Sequence, residues 1–142
     1  MTKPLGHLRQ QSLETLENRS WGDASEAPTN LVKRCIQLSK IPIADFSPSD
    51  LRLMIGQQFG LPYLIPLALE KLQENIFIDA DFYKGDLLSN ILNVDTSFWN
   101  DNENFWTQLN NLINDKRQQL ADMKILTTKF DNAKFGETKG CH

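Results

Sequence analysis

The chain has 142 residues, of which 40% are hydrophobic and 23% charged, and its formal net charge is -3. This length suits one globular domain with one core, and the slightly acidic balance is a weak argument against nucleic-acid binding. Two cysteines, Cys35 and Cys141, are too few for a disulfide framework, so we expect both to be reduced thiols. The longest apolar run, 61–69, is far shorter than the ~20 residues that span a bilayer, and the first residues lack the apolar core of a signal peptide.

The first third of the chain predicts a short helix, a loop and a second helix. A loose helical stripe opens the chain at Leu5, Leu8, Leu13 and Leu16. The small polar residues of 19–30 indicate a loop, and we expect Trp21 to pin it to the core rather than to lie exposed. Asn30 can cap a helix that runs through Ser39. The inward-facing residues of this helix would be Leu31, Val32, Cys35, Ile36 and Leu38.

The central segment predicts a helical hairpin whose first arm begins at a capping box. Ser47 takes the N-cap position of this box, and Asp50 the third helical position. Gly60 is expected to follow the end of the first arm in a left-handed conformation. The second arm opens at Pro62, and Pro66 predicts either a kink or an irregular first turn. Because this arm is apolar almost all round, we expect it to be central and buried.

The second half of the chain predicts a loop, two short helical segments and a longer helix. Segment 76–86 is interpreted as a loop carrying aromatic residues, after which Asp86 can cap a short helix over 87–92. A short turn from Asp95 or Thr96 follows, and apolar spacings of three, four or seven predict a helix from about Glu103 to Met123. The remaining residues are basic, and their ILTTKF stretch could form a short strand, although we expect fraying.

These elements define an all-α fold class. We predict a compact single-domain bundle of about six helices, because no convincing set of strands accompanies them. The helical domain would cover residues 1–123, and residues 124–142 would form a basic C-terminal tail.

The sequence contains no recognisable constellation for catalysis, metal binding or cofactor binding. The two histidines, His7 and His142, lie near the termini, and no Cys/His cluster has the spacing of a zinc site. Neither a P-loop nor a dinucleotide-binding glycine motif is present. Carboxylates are plentiful, so residue types alone leave an acid/base hydrolase open. None of them lies in a stretch that predicts burial, where a raised pKa would be expected. We therefore predict no catalytic residue, no metal and no cofactor.

Acidic residues concentrate between Glu74 and Glu103. This window holds seven acids and one base, a net of -6, whereas the other residues hold 11 acids and 14 bases, a net of +3. Acids interleaved with aromatic residues can form an interface, because charge steers a basic partner and aromatic rings supply anchors. The candidate partner-binding residues are Asp79, Asp81, Tyr83, Asp86, Trp99, Asp101 and Glu103. The alternative is a solvated acidic face whose aromatic residues point into the core.

A set of short motifs in a fixed order resembles the immunity proteins of bacterial contact-dependent growth inhibition (CDI) systems. The motifs are Trp21-Gly22, Asp50-Leu51-Arg52, Ile55-Gly56-Gln57, Pro66-Leu67-Ala68-Leu69 and Gly85-Asp86-Leu87-Leu88. The resemblance covers roughly residues 13 to 112. It implies a small cytoplasmic protein without catalytic activity, which binds and blocks the C-terminal toxin domain delivered by a neighbouring cell. Such toxins are often nucleases.

The resemblance and the charge pattern lead to one predicted function and one alternative. We predict a monomer that forms a 1:1 complex with the toxin domain of the cognate CDI exoprotein and binds neither nucleic acid nor membrane. A nuclease surface is usually basic, so an acidic inhibitor would associate with it quickly. The motif region 50–72 looks like scaffold, and we expect most toxin contacts outside it. The alternative is a helical DNA-binding regulator, whose densest basic group would be Lys116, Arg117, Lys124, Lys129, Lys134 and Lys139.

Overall fold

The computed structural model describes residues 8–133, which form helices and turns without a strand. The α-helices are α1 Leu13–Glu17, α2 Asn30–Ser39, α3 Pro48–Gly56, α4 Leu61–Glu74, α5 Asp86–Leu92, α6 Thr96–Asp101, α7 Glu103–Ile113, α8 Arg117–Asp122 and α9 Thr128–Asp131. Short 3-10 helices cover Ala24–Glu26, Ile43–Asp45 and Asn114–Lys116. The predicted all-α class is confirmed. Predictions on Leu5, His7, Lys134, Lys139, Cys141 and His142 concern positions outside the described residues.

Helix α4 lies at the centre of one hydrophobic core. Its residues Leu64, Ile65 and Ala68 are completely buried, and the helix packs against α3, α5 and α7. The prediction that this arm is central is therefore confirmed. The helix begins at Leu61 and continues through Pro66, which lies inside it.

The capping box that opens α3 is confirmed in both directions. The Asp50 backbone N–H donates to Ser47 Oγ at 3.1 Å, and the Ser47 N–H donates to Asp50 Oδ2 at 3.0 Å. The far end of the helix lies earlier than predicted. Gln58 takes the left-handed conformation with φ 65°, and the Phe59 N–H donates to the Met54 carbonyl at 2.9 Å. Gly60 is left-handed as predicted, with φ 62°, but it precedes α4 instead of closing α3.

The anchoring role of Trp21 is confirmed, whereas part of the predicted inner face of α2 is wrong. The Trp21 ring is half-buried and meets Phe59 edge-on at 5.0 Å between ring centroids. Cys35 is buried, and its burial raises the pKa of the thiol. Leu31 and Val32 are 44% and 37% exposed, because the first turn of α2 lines an open apolar hollow beside Trp21. The N-cap residue of α2 is Thr29 rather than Asn30.

The predicted continuous helix from Glu103 to Met123 is wrong, because the 3-10 helix Asn114–Lys116 interrupts it between α7 and α8. The expected fraying or short strand after residue 123 is also wrong for the described part of that segment. Its residues Ile125, Phe130 and Ala133 are buried, and α9 forms in place of a strand. The aromatic packing of Phe130 explains this order, because its ring stands edge-on to Trp99 at 5.2 Å and stacks on Trp106 at 5.1 Å. The division of the chain at residue 123 stays a prediction.

Candidate partner-binding surface

Six of the seven acids of the acidic window lie in two clusters along the chain, one up to the start of α5 and one after its end. The first residue of α5, Asp86, lies beside Arg52 in α3, with 3.4 Å between Arg52 Nε and Asp86 Oδ2. Just after α5, the Asp95 N–H donates to Gln58 Oε1 at 3.1 Å, near the other end of α3. Helices α3 and α5 therefore run in the same direction. With a rise of ~1.5 Å per residue, the seven residues of α5 make this helix about 10 Å long.

The first cluster lies on the acidic loop, which we define as residues 76–85. Two backbone bonds close this loop, because the Gly85 N–H donates to the carbonyls of Phe77 at 3.1 Å and Ile78 at 3.0 Å. The φ of Gly85 is 86°, a value that L side chains rarely adopt. Asp79, Asp81 and Tyr83 are exposed on the loop, as the sequence predicts. Three of the seven candidate residues are thus held on one short segment.

The Asp86 carboxylate holds the acidic loop in place by accepting hydrogen bonds from its backbone. It is 1% exposed and accepts the backbone N–H groups of Ala80 at 2.8 Å, Asp81 at 3.0 Å and Phe82 at 2.8 Å. Burial acts to raise the pKa of Asp86, but these backbone hydrogen bonds outweigh it and bring the pKa below its ordinary value. The carboxylate is therefore charged, and both of its oxygens accept hydrogen bonds from within the fold. The prediction that Asp86 contacts a partner is wrong, because no surface of its side chain is available.

The second cluster lies around α6, and its aromatic member is also buried. Asp101 and Glu103 are exposed at the junction of α6 and α7, and Asp95 caps α6 by accepting the Ser97 N–H at 3.1 Å. Trp99 is 0% exposed, because it packs between Phe98 and the ring of Phe130. The prediction that Trp99 anchors a partner is therefore wrong.

Two kinds of surface residue were missing from the sequence-based candidates. Phe82 is 67% exposed, and the Arg52 guanidinium lies over its ring at 4.2 Å from the centroid. Met123 and Leu126 are 38% and 76% exposed, although apolar spacing predicted a helix that runs to Met123. The aromatic content of the window could have identified Phe82. No local signal identifies Leu126, because its exposure depends on how α8 ends.

The basic group behind the DNA-binding alternative is partly neutralised within the fold. Arg117 donates from its guanidinium to both Asp131 carboxylate oxygens, at 3.0 and 3.1 Å, and also to Asn110 and Thr127. Burial acts to raise the pKa of Asp131, but the hydrogen bonds from Arg117 and Thr127 lower it overall. Lys124 and Lys129 remain exposed. The basic residues do not line up on one exposed helix within the described part of the chain.

Residues 8–133 contain no group of three or more His, Cys, Asp or Glu side chains arranged to hold a metal ion. No helix in that range has both the length and the apolar character needed to cross a bilayer.

The fold and surface define a small all-α domain whose exterior carries an acidic loop with exposed aromatic rings. A model of the family of CDI immunity proteins matches residues 15–109, a span that includes this loop. The chain therefore belongs to the family of CDI immunity proteins, and the resemblance carried by its motifs is confirmed. No curated protein and no solved structure matches the chain.

Proposed function

We propose that this protein acts in the cytoplasm, where it binds the C-terminal toxin domain of its cognate CDI exoprotein. The two proteins form a 1:1 complex, and the toxin domain is a nuclease. Membership of a family of toxin-neutralising immunity proteins is the observation that carries the proposal. Inhibition requires occlusion of the toxin and needs no cofactor or catalytic residue of this chain.

The acidic loop is the contact region that charge and exposure favour. Asp79 and Asp81 are exposed beside Tyr83, which is 52% exposed. A nuclease presents cationic groups to its phosphate substrate, so the loop carboxylates would attract the same groups. Aromatic side chains such as Tyr83 are the residue types that most often dominate binding energy. Asp101 and Glu103 are further exposed acids at the junction of α6 and α7.

The loop is held in one shape before any partner arrives. Its backbone N–H groups at Ala80, Asp81 and Phe82 are occupied by the Asp86 carboxylate, and Gly85 closes its base. A preorganised loop loses less conformational entropy on binding, so more of the contact energy appears as affinity. Asp86 therefore supports binding as a positioning residue.

The test measures binding kinetics between the full chain and the exoprotein C-terminal domain encoded by the neighbouring reading frame. Asp79→Lys with Asp81→Lys should slow association about tenfold or more at low salt and weaken the salt dependence, because steering acts on the association rate. The matched control is Glu26→Lys with Asp45→Lys, which changes net charge equally at exposed acids outside the window.

Each outcome bears on a separate part of the proposal. Wild-type protein that neither binds the toxin domain nor protects cells from it would refute the toxin-binding function. Wild-type binding with equal losses in both variants would show a general charge effect and remove the acidic loop from the interface.

A further inference from the structure

An open groove separates the acidic loop from α8. Two hollows of about 490 and 510 Å³ share Asn75, Phe77 and Gln119 as lining residues, so they form one continuous depression. One wall comes from the end of α4 and the start of the acidic loop, and the other from 111–123.

Exposed apolar side chains lie on the two segments next to this groove, and one of them, Met123, lines it. Among the described residues, the large apolar side chains that are exposed are Leu31, Val32, Phe82, Tyr83, Met123 and Leu126. The last four belong to the acidic loop and to the turn after α8. These two segments touch, because a Cβ atom placed on Gly85 would lie 2.8 Å from Ile125 Cδ1 and 3.5 Å from Met123 Cε. Exposed apolar side chains on adjoining segments indicate a candidate interaction site.

The turn after α8 presents Met123 and Leu126 in a defined position. Lys124 has φ 62°, and its N–H donates to the Ala121 carbonyl at 3.0 Å. The next N–H, from Ile125, donates to the Leu120 carbonyl at 2.9 Å. This pair of bonds is the Schellman arrangement that closes a helix. Ile125 is therefore buried while its neighbours on either side stay exposed.

The charges around the groove favour a cationic partner. Five carboxylates surround it or lie on the adjoining loop, at Glu74, Asp79, Asp81, Asp115 and Asp122. Three ammonium groups accompany them, at Lys84, Lys116 and Lys124. Five acids minus three bases leave a net charge of -2, so positive residues of a partner would be attracted to the edges of the groove.

We propose that this groove, with Met123 in its lining and Leu126 on the adjoining turn, docks a toxin segment in which an apolar side chain is flanked by lysine or arginine. The inference rests on the proposed function, since its occupant is the toxin domain. It goes further in assigning a contact role to the turn after α8, which lies outside the family match at 15–109. In this arrangement the family-matched part supplies one wall and the remaining part supplies the other.

The experiment compares two pairs of exposed apolar residues in the full-length protein. Met123→Ser with Leu126→Ser should weaken affinity for the neighbouring exoprotein's C-terminal domain by about tenfold to thirtyfold, mainly through faster dissociation. The matched control, Leu31→Ser with Val32→Ser, removes exposed apolar side chains of 44% and 37% exposure from α2 and should change affinity less than about twofold. Melting temperatures and the light-scattering mass of each variant are recorded in parallel.

The outcomes separate this inference from the proposed function. If the wild type binds and the Met123/Leu126 variant binds equally well, the groove is not the docking site. If both pairs lose affinity equally, the effect is general and the inference is overturned. If the wild type is a dimer and the Met123/Leu126 variant is a monomer, the occupant of the groove is a second copy of this chain. That result would also overturn the inference. If the double variant melts at a lower temperature than wild type, the affinity of the single variant Leu126→Ser tests the inference. That side chain is 76% exposed, so its loss should not unfold the protein. A wild type that fails to bind the toxin domain at all would remove both proposals.

Discussion

Replacement of Phe130 by alanine tests whether the segment after α8 is part of the core. The ring is 0% exposed and contacts two indole rings, with centroids 5.2 Å from Trp99 and 5.1 Å from Trp106. Phenylalanine-to-alanine changes in cores cost about 3–5 kcal/mol, and aromatic pairs add ~0.5–1.5 kcal/mol beyond their buried area. Because the truncation cost already includes such contacts, we expect a loss in the upper part of that range, about 4–5 kcal/mol. The bond from the Trp106 indole N–H to the Phe130 carbonyl, 2.9 Å long, uses the backbone and survives the change.

Urea denaturation measures this loss. Tryptophan fluorescence reports the unfolding, because two of the three tryptophans contact the substituted ring, and circular dichroism checks that the transition is shared by the helices. Phe82→Ala is the matched control, since the same side chain is 67% exposed there and should cost less than about 1 kcal/mol. Equal, small losses for the two variants would show that α9 contributes nothing to the core and would refute the packing described for Phe130.

Two further predictions concern the base of the acidic loop. The folded-state pKa of Asp86 is lowered, so the stability it contributes is present above the pKa of an unfolded aspartate, ~3.9, and is lost as pH falls through the folded value. Asp86→Asn should therefore lower the free energy of unfolding at neutral pH, and the gap in this free energy between variant and wild type should become smaller in acid. Urea titrations at several pH values measure this gap. A gap that does not change with pH would contradict the role of the carboxylate. Gly85→Ala should lower stability by about 1–2 kcal/mol through its positive φ alone, with an added steric cost from Ile125. Thermal melts should show a smaller loss for Gly22→Ala, since that glycine has φ 99° but nothing within 4 Å of an added Cβ.

Local signals in the sequence were enough to predict the helical class and several of its ends. The capping box of Ser47 and Asp50 depends only on residues three apart, so it formed as predicted. The apolar run 61–69, which makes up most of α4, likewise predicted its burial. The end of α3 was misjudged because Gln58, not a glycine, adopts the left-handed conformation there. The left-handed conformation after a helix favours glycine, but other residues also adopt it.

The family assignment was also available from the sequence, because ordered motifs carry it. Only some residues of the candidate site could be predicted from the sequence. Asp79, Asp81 and Tyr83 lie on the exposed loop as predicted, since charged and polar residues of a loop usually face water.

Tertiary structure alone decided which remaining residues reach the surface. Asp86 is buried because three backbone N–H groups of the preceding loop converge on its carboxylate, which overcomes the cost of removing a charge from water. Trp99 is buried because Phe130, far along the chain, covers it. Leu126 is exposed because the turn after α8 buries its neighbour Ile125 instead. The sequence determined which segments are helical and apolar, since these depend on near neighbours, whereas exposure depends on contacts between distant segments that no local pattern records.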